Sequence, residues 1–294
     1  MTKTHYDILI THGTYTAFST ISLSKKHKIT NICFIHDAIS YIITTKYRDR
    51  LPTFVIKLLL LIANKLDKFI ISHSDFVLSF PKMIDYIKKL YPEYKNYKII
   101  YNGCDKTDDI NVDRGNFAIG VTKWDEGKNF ELLLKIWQRL EKKIKFKVIG
   151  TFSKEKIRKH YEACIQNYSL GEWFEIVGPV SEQELKRFYE QAKILVHPCK
   201  EAFGLTILEA ASYGCPSIFP KESGVTDLFP DVITKYQPTE NNVSSYVKSI
   251  NSILQFDRIN YVNLAKDYHA ASQKYTWKQH AKIIAYLISK ITLR

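Results

Sequence analysis

Glu201 and Glu209 lie eight positions apart in the run His197-Pro-Cys-Lys-Glu201-Ala-Phe-Gly204-Leu-Thr-Ile-Leu-Glu209-Ala-Ala-Ser-Tyr-Gly214-Cys-Pro216. A carboxylate accepts hydrogen bonds from hydroxyl groups, so this pair suits a polyol ligand, one carboxylate on sugar hydroxyls and the other on a ribose. Gly204 lets the backbone approach such a ligand closely. The helix that starts near Leu205 offers free N–H groups and the positive end of its dipole to a phosphate. Gly214 suits the left-handed residue past a helix end, and Pro216 forbids continuation, which bounds that helix. Taken alone, the same residues also read as an ordinary strand-loop-helix connection with two solvated glutamates.

A second run, Gly120-Val-Thr-Lys123-Trp-Asp-Glu-Gly127-Lys128-Asn129-Phe, places two lysines after a β-branched stretch. A lysine pair in so basic a chain is, taken alone, what a solvated face looks like. His36 ends the strand-like Phe34-Ile35-His36-Asp37, and His197 ends another. Histidine at such a place is either structural or aimed at a ligand. The sequence contains no Asp-x-Asp pair, no Walker A motif, no GxGxxG and no HExxH. Nucleotide triphosphatases, common dehydrogenases, zincins and metal-dependent sugar transferases therefore lack support. The five cysteines have no paired spacing, so neither a disulfide framework nor a zinc site of the CxxC kind is expected, and a reducing compartment follows.

These residues need elements to position them. Short β-branched or aromatic runs alternate with longer amphipathic ones, the pattern of an α/β fold with parallel sheets. The first third reads as strands over Asp7–Thr11, Asn31–His36, Phe76–Phe80 and Tyr97–Tyr101, with helices over Tyr15–Lys26, Pro52–Ser72 and Lys82–Tyr91. Residues 106–116 are polar and aperiodic, a linker. Beyond it the pattern predicts strands at Phe117–Thr122, Phe146–Ile149, Phe174–Val177 and Ile194–His197, and helices over Asn129–Lys142, Lys154–Tyr168 and Ser181–Gln191. Ser181 and Glu184 have capping-box spacing. Two doubly wound domains joined by a linker are expected, with ligand at the C-terminal ends of the strands.

The chain has 294 residues, 45% of them hydrophobic and 25% charged, which excludes disorder and leaves room for two domains. Its net charge of +13 favours an anionic partner. Residues 1–105 hold 15 basic and 8 acidic side chains and the rest 28 and 22, so about a third of the chain carries half the excess. The N-terminus shows no signal-peptide run, and a cytoplasmic location, peripheral to a membrane, is expected. The apolar stretch Phe54–Ala63 is interrupted by Lys57 and is about half the length of a bilayer span, so it reads as a buried or membrane-touching helix. No DNA- or RNA-reading motif accompanies the charge, and nucleic acid is not expected.

The Glu201-x7-Glu209 segment resembles the signature of retaining nucleotide-sugar glycosyltransferases of family GT4, whose fold is GT-B. The resemblance implies two Rossmann-like domains facing a cleft, here with a reduced N-terminal one. Their expected bounds are 1–105 and 106–277, with the C-terminal helix 278–294 crossing back onto the first. It implies that Glu201, Phe203, Gly204, Leu205 and Thr206 meet the donor sugar and diphosphate, that Glu209 holds the ribose, and that Lys123 and Lys128 bind the diphosphate. Lys123 stands where the family has Arg. Tyr101-Asn102-Gly103-Cys104-Asp105 is similar to the Asn-Gly-Val-Asp that closes the family's first domain, and Ser223-Gly224 with Asp227 is similar to its Gly-Gly…Glu turn. His36, by the same resemblance, approaches the donor sugar, so His36, Glu201 and Lys128 are the implied catalytic residues. Gly13 is the sole glycine before Gly103, so the family's N-terminal Gly-rich loop has no counterpart.

The implied activity is retaining, metal-independent transfer of a hexose from a UDP- or GDP-sugar. The donor is a co-substrate, no cofactor is expected, and the acceptor is a glycan or lipid-linked sugar at an anionic membrane surface. The absent loop and Lys123 leave a second expectation, a catalytically inactive GT-B-like binding subunit.

Overall fold

The computed structural model describes residues 6–48 and 51–292. Residues 1–5, 49, 50, 293 and 294, which the expected domain bounds take in, lie outside the described residues. The chain divides into two compact units, one formed by Met1–Tyr101 with Lys278–Arg294 and the other by Asn102–Trp277.

The first unit holds a four-stranded parallel sheet of β1 (Ile8–His12), β2 (Thr30–Phe34), β3 (Phe76–Ser79) and β4 (Tyr97–Ile99), in that order. Its helices are α1 (Thr14–His27), α2 (Ile39–Ile42) running into a π turn at Ile43–Tyr47, α3 (Thr53–Ser72) and α4 (Pro81–Leu90). Pro81 opens α4 at a position where its missing N–H costs nothing. Buried Ile32, Phe34, Val77, Leu78, Ile70 and Ile84 form the core around the sheet. Asp67 of α3 is buried and accepts from Ile39 N, Ser40 N and Ser40 Oγ at 2.9, 2.9 and 2.6 Å, which ties α3 to the start of α2. No described helix is long and apolar enough to cross a membrane.

The second unit holds β5 (Phe117–Val121), α5 (Phe130–Arg139), β6 (Lys145–Ile149), α6 (Glu155–Asn167), β7 (Phe174–Gly178), α7 (Glu182–Gln191), β8 (Ile194–Val196), α8 (Leu205–Ser212) and β9 (Ser217–Ile218). A 3-10 turn at Gly224–Leu228 leads to α9 (Asp231–Thr234), α10 (Val243–Leu254) and α11 (Arg258–Ser272), and α12 spans Trp277–Thr292. The sheet is parallel with the order β7-β6-β5-β8-β9. Strand order therefore reverses between β5 and β8, whose C-terminal ends flank a crevice. The first sheet shows no such reversal.

The core of this unit is aromatic. Trp137 packs edge-on against Phe146 at 4.7 Å, and Phe130 stacks on Tyr161 at 3.9 Å. The capping box on α7 forms: Glu184 N donates to Ser181 Oγ at 3.3 Å and Ser181 N to Glu184 Oε2 at 2.9 Å. Helix α5 stops at Arg139, three residues before the sequence pattern ends, because Leu140 turns extended to bury its side chain. The strands predicted to end at His36, Phe80 and His197 end one or two residues earlier, leaving both histidines in loops.

Candidate active site

The loops after β5 and β8 meet at the point where strand order reverses, although Lys128 and Glu201 are 73 residues apart in sequence. The β5 loop is locked from beneath. Trp124 is fully buried and donates from Nε1 to Ile149 O at 2.9 Å, Gly127 N donates to Asp125 Oδ1 at 2.7 Å, and Tyr161 Oη donates to Asp125 O at 2.6 Å. Asn129, the residue before α5, donates from Nδ2 to Pro198 O at 3.1 Å and so pins this loop to the one after β8.

The β8 loop is held from its other side by the turn after β9. Glu201 N donates to Ser223 Oγ at 3.3 Å, Gly224 N to Glu201 O at 3.0 Å, and Val225 N to Phe203 O at 2.5 Å. A Cβ on Gly224 would stand 1.9 Å from Ala202 O, so only glycine lets the two turns touch. Gly204 caps α8 with φ of +98°, the left-handed region, and so aims the first N–H groups of the helix out of the loop. Phe203 is buried beneath this turn, while Leu205 and Thr206 form the first turn of α8 and are half-buried.

Between the loops lies a charged cluster. Lys128 Nζ donates to Glu201 Oε1 at 2.6 Å, His197 Nε2 lies 3.1 Å from the same oxygen, and Cys199 Sγ lies 3.1 Å from His197 Nε2. Burial raises the pKa of the Glu201 carboxyl, but His197 and Lys128 outweigh it and hold the group down at about 2. Burial lowers His197 in turn, and Cys199 and Glu201 reverse that and keep it above its ordinary value. Burial opposes the Lys128 ammonium too, yet Cys199 and Glu201 keep it above the usual lysine value. Glu201 and Lys128 thus stay charged across the neutral range. The ligand atoms of His197, Cys199 and Glu201 lie within 4.8 Å of one another, near enough for one cation. The ammonium on Glu201 Oε1 competes for that place.

Glu209, on the next turn of α8, has a different setting. Tyr189 Oη donates to Glu209 Oε2 at 3.1 Å, and burial, followed by repulsion from Asp105 and Glu182, pushes the Glu209 carboxyl up. Burial, with Glu209 beside it, raises Tyr189 well above the usual phenol value, so the phenol remains the donor. Glu209 lines a pocket of about 200 Å³ with Cys104, Asp105, Lys186, Tyr189 and Trp277.

Not every expected residue joins this constellation. Lys123 is exposed and forms no ion pair recorded among the described residues. His36 belongs to the first unit. Its ring stacks on Phe34 at 4.3 Å, and its Nε2 lies 3.4 Å from His12 Nδ1. Burial, then His12 and His280, lower its pKa, so it is a neutral imidazole at pH 7. His197, Cys199 and Tyr189 are the site residues that the motif does not name. The two-residue steps from His197 to Cys199 to Glu201 are the signal in the sequence, and Tyr189 offers none.

The fold has counterparts among solved structures. Sucrose-phosphate synthase from Thermosynechococcus elongatus superposes with a TM-score of 0.82 at 18% identity over 98% of this chain and 74% of that one. Anabaena HepE in complex with UDP and glucose superposes with a TM-score of 0.77 at 16% identity over 97% of this chain and 78% of that one. These likenesses establish the GT-B fold. In sequence, 156 residues are 26% identical to the phosphatidylinositol N-acetylglucosaminyltransferase gpi3 subunit of Schizosaccharomyces pombe, taking in 51% of this chain. The matched stretch spans 33% of that relative's own length. Residues 107–275, which contain both loops and both glutamates, match the family described as glycosyl transferases group 1. That match takes in more than half of the chain, which places the protein in the glycosyl transferases group 1 family.

Proposed function

We propose that the protein transfers a hexose from a UDP- or GDP-sugar to an acceptor that is a glycan or a lipid-linked sugar, the latter at an anionic membrane surface. The observation that carries this reading is the juxtaposition, at the strand reversal, of Lys128, Glu201 and the Gly204-capped start of α8, with Glu209 in the adjoining pocket. The anomeric carbon–oxygen bond to the terminal phosphate breaks. The acceptor hydroxyl forms the new bond and gives its proton to the departing diphosphate oxygen, and the nucleoside diphosphate leaves still carrying negative charge.

That leaving charge needs stabilisation. Lys128 and the free N–H groups of α8 supply it with protein cations and dipoles, so the reading assigns no metal to this step. Glu201, held ionised, accepts from donor-sugar hydroxyls, and Glu209 accepts from the ribose. Lys123 is assigned to the diphosphate as a mobile point charge lacking the planar fork of arginine. His36 is assigned to the donor sugar on the family resemblance, as are the retained anomeric configuration and the roles of Phe203, Leu205 and Thr206. The relatives support the substrate classes: HepE is solved with UDP and glucose, and the fission-yeast relative is named for a lipid acceptor and an N-acetylglucosaminyl donor.

Calorimetric titration with UDP, GDP and ADP tests the donor site. Selective binding of UDP or GDP, weakened at least tenfold in Glu209→Ala, is expected, with sugar transfer lost in Lys128→Ala and reduced in His36→Ala. Transfer left intact by Lys128→Ala would overturn the assignment. Failure to bind any nucleotide would favour the inactive binding subunit.

A further inference from the structure

The long helix α3 carries an arc of apolar side chains that the fold leaves uncovered. Phe54, Leu58, Leu61, Ile62 and Phe69 are 73%, 58%, 57%, 50% and 40% exposed. Their spacing sets them on one side of the helix. The other side holds Ile56, Ala63, Asp67, Ile70 and Ile71, all buried. The uncovered arc continues onto α1, where Phe18 stacks on Phe69 with ring centroids 5.7 Å apart. Tyr15 and Leu23 of α1 are 75% and 49% exposed. Scattered exposed apolar residues are ordinary on a protein surface, whereas a patch joined across two helices marks an interaction surface.

The exposed charges carried by α1 and α3 themselves have one sign. Lys57, Lys65 and Lys68 are exposed on the same arc of α3, and α1 ends in Lys25 and Lys26 with Lys28 following. Helix α1 has no acidic residue, and the sole one in α3, Asp67, is buried. Lys68 meets Glu93 at 3.6 Å, both side chains being exposed, and so gives up part of its charge to a neighbour.

An apolar strip flanked by lysines is what a helix lying in a lipid interface presents, with apolar groups at the acyl boundary and ammonium groups among the phosphates. Pairing with a second copy through this face would set lysine against lysine. Because α3 carries charges along its length and no described helix is apolar enough to cross, the face lies on the bilayer and does not enter it as a span. We infer that the α1–α3 face of the first unit seats on an anionic membrane surface. This gives the proposed membrane partner a specific docking face. Vesicle binding needs neither donor nor acceptor, so it can fail independently of the nucleotide site.

The test is co-sedimentation of the full chain with vesicles of phosphatidylcholine alone and with about a third phosphatidylglycerol, at low and high salt. Binding to the anionic vesicles alone is expected, at least tenfold weaker in the triple variant F54S/L58S/L61S and likewise in K57E/K65E. The altered side chains are exposed, and unchanged circular dichroism and nucleotide binding would show that both variants fold. A second reading uses F54W. Its emission should shift to the blue and be quenched by brominated lipid in anionic vesicles, beyond any change in the parent protein. Wild-type protein left in the supernatant would overturn the inference, as would F54S/L58S/L61S binding like wild type. Self-association in sedimentation velocity that F54S/L58S/L61S abolishes, without vesicle binding, would assign the face to a second copy instead.

Discussion

Two carboxylates on one loop-helix segment meet opposite surroundings. Glu201 sits between a lysine ammonium and an imidazole and is held ionised at about 2, whereas Glu209 is half-buried with a phenol for company, and desolvation, then two nearby carboxylates, push it up. The second is a charge that the ligand-free protein tolerates poorly. A ligand rich in hydroxyl groups, as proposed, would improve matters most at Glu209, by adding donors to the single one that Tyr189 gives its carboxylate. One carboxylate of the segment is thus well compensated, and the other is not.

Removing the satisfied carboxylate should do the most damage. Glu201→Ala leaves Lys128 and His197 facing each other without a counter-ion. It is expected to cost about 3 kcal/mol in a urea unfolding titration, together with loss of sugar transfer. A cost below about 0.5 kcal/mol would mean that the cluster is no more than a surface ion pair.

The pH dependence should separate the two groups. For Glu201 the folded pKa is below the unfolded one, so its stabilisation is complete above the ordinary carboxylate value and disappears as pH falls toward about 2. For Glu209 the folded pKa is raised, so its contribution is greatest below the ordinary carboxylate value and is lost as pH rises through the folded value. Unfolding midpoints of Glu201→Ala should therefore fall less steeply in acid than those of the parent protein. An unchanged acid limb would break the contrast.

A smaller effect of opposite sign is expected at the other carboxylate. Glu209→Gln keeps an acceptor for Tyr189 and removes the unbalanced charge. It should gain about 1 kcal/mol in thermal unfolding while binding nucleotide at least tenfold more weakly. Loss of both stability and binding would show that Glu209 holds the fold together. The smallest change is expected from Tyr189→Phe, about 0.5–1 kcal/mol for one hydrogen bond, with the Glu209 carboxyl moving further up. Carboxyl chemical shifts followed by NMR through a pH titration would read that movement directly.

How much of this was legible in the sequence depends on how local each feature is. Helix α5 was readable because Leu132, Leu133, Ile136 and Leu140 are apolar at helical spacing, although the buried face proves to be Leu133, Leu134, Ile136 and Trp137 and Leu140 lies just past the helix end. Helix α11 was not, because its buried face is made of Tyr261, Leu264, Ala265, Tyr268, Ala271 and Ser272, in which tyrosine and small residues blur the period. Strand β9 has two residues, Ser217 and Ile218, too few for an alternation. The Glu201, Gly204 and Glu209 spacing survives translation into structure because one loop and one helix carry all three. The pairing of Lys128 with Glu201 does not, since it depends on β8 lying beside β5, which no local pattern encodes. Tyr189 reaches Glu209 from another helix for the same reason.

The bridge between Cys104 and Thr276, with Cys104 N donating to Tyr275 O at 3.0 Å, ties together the two ends of the second unit. That unit is therefore an insertion within the first, whose residues come from both ends of the chain. On a ribosome, β1 to β4 emerge early but remain without their share of α12 until the rest of the chain has been made. The inserted unit has all of its strands sooner after they emerge. Synthesis thus leaves the unit with the lysine-flanked apolar face to be completed after the inserted one, and a chain interrupted after Trp277 would carry a whole second unit attached to an unfinished first.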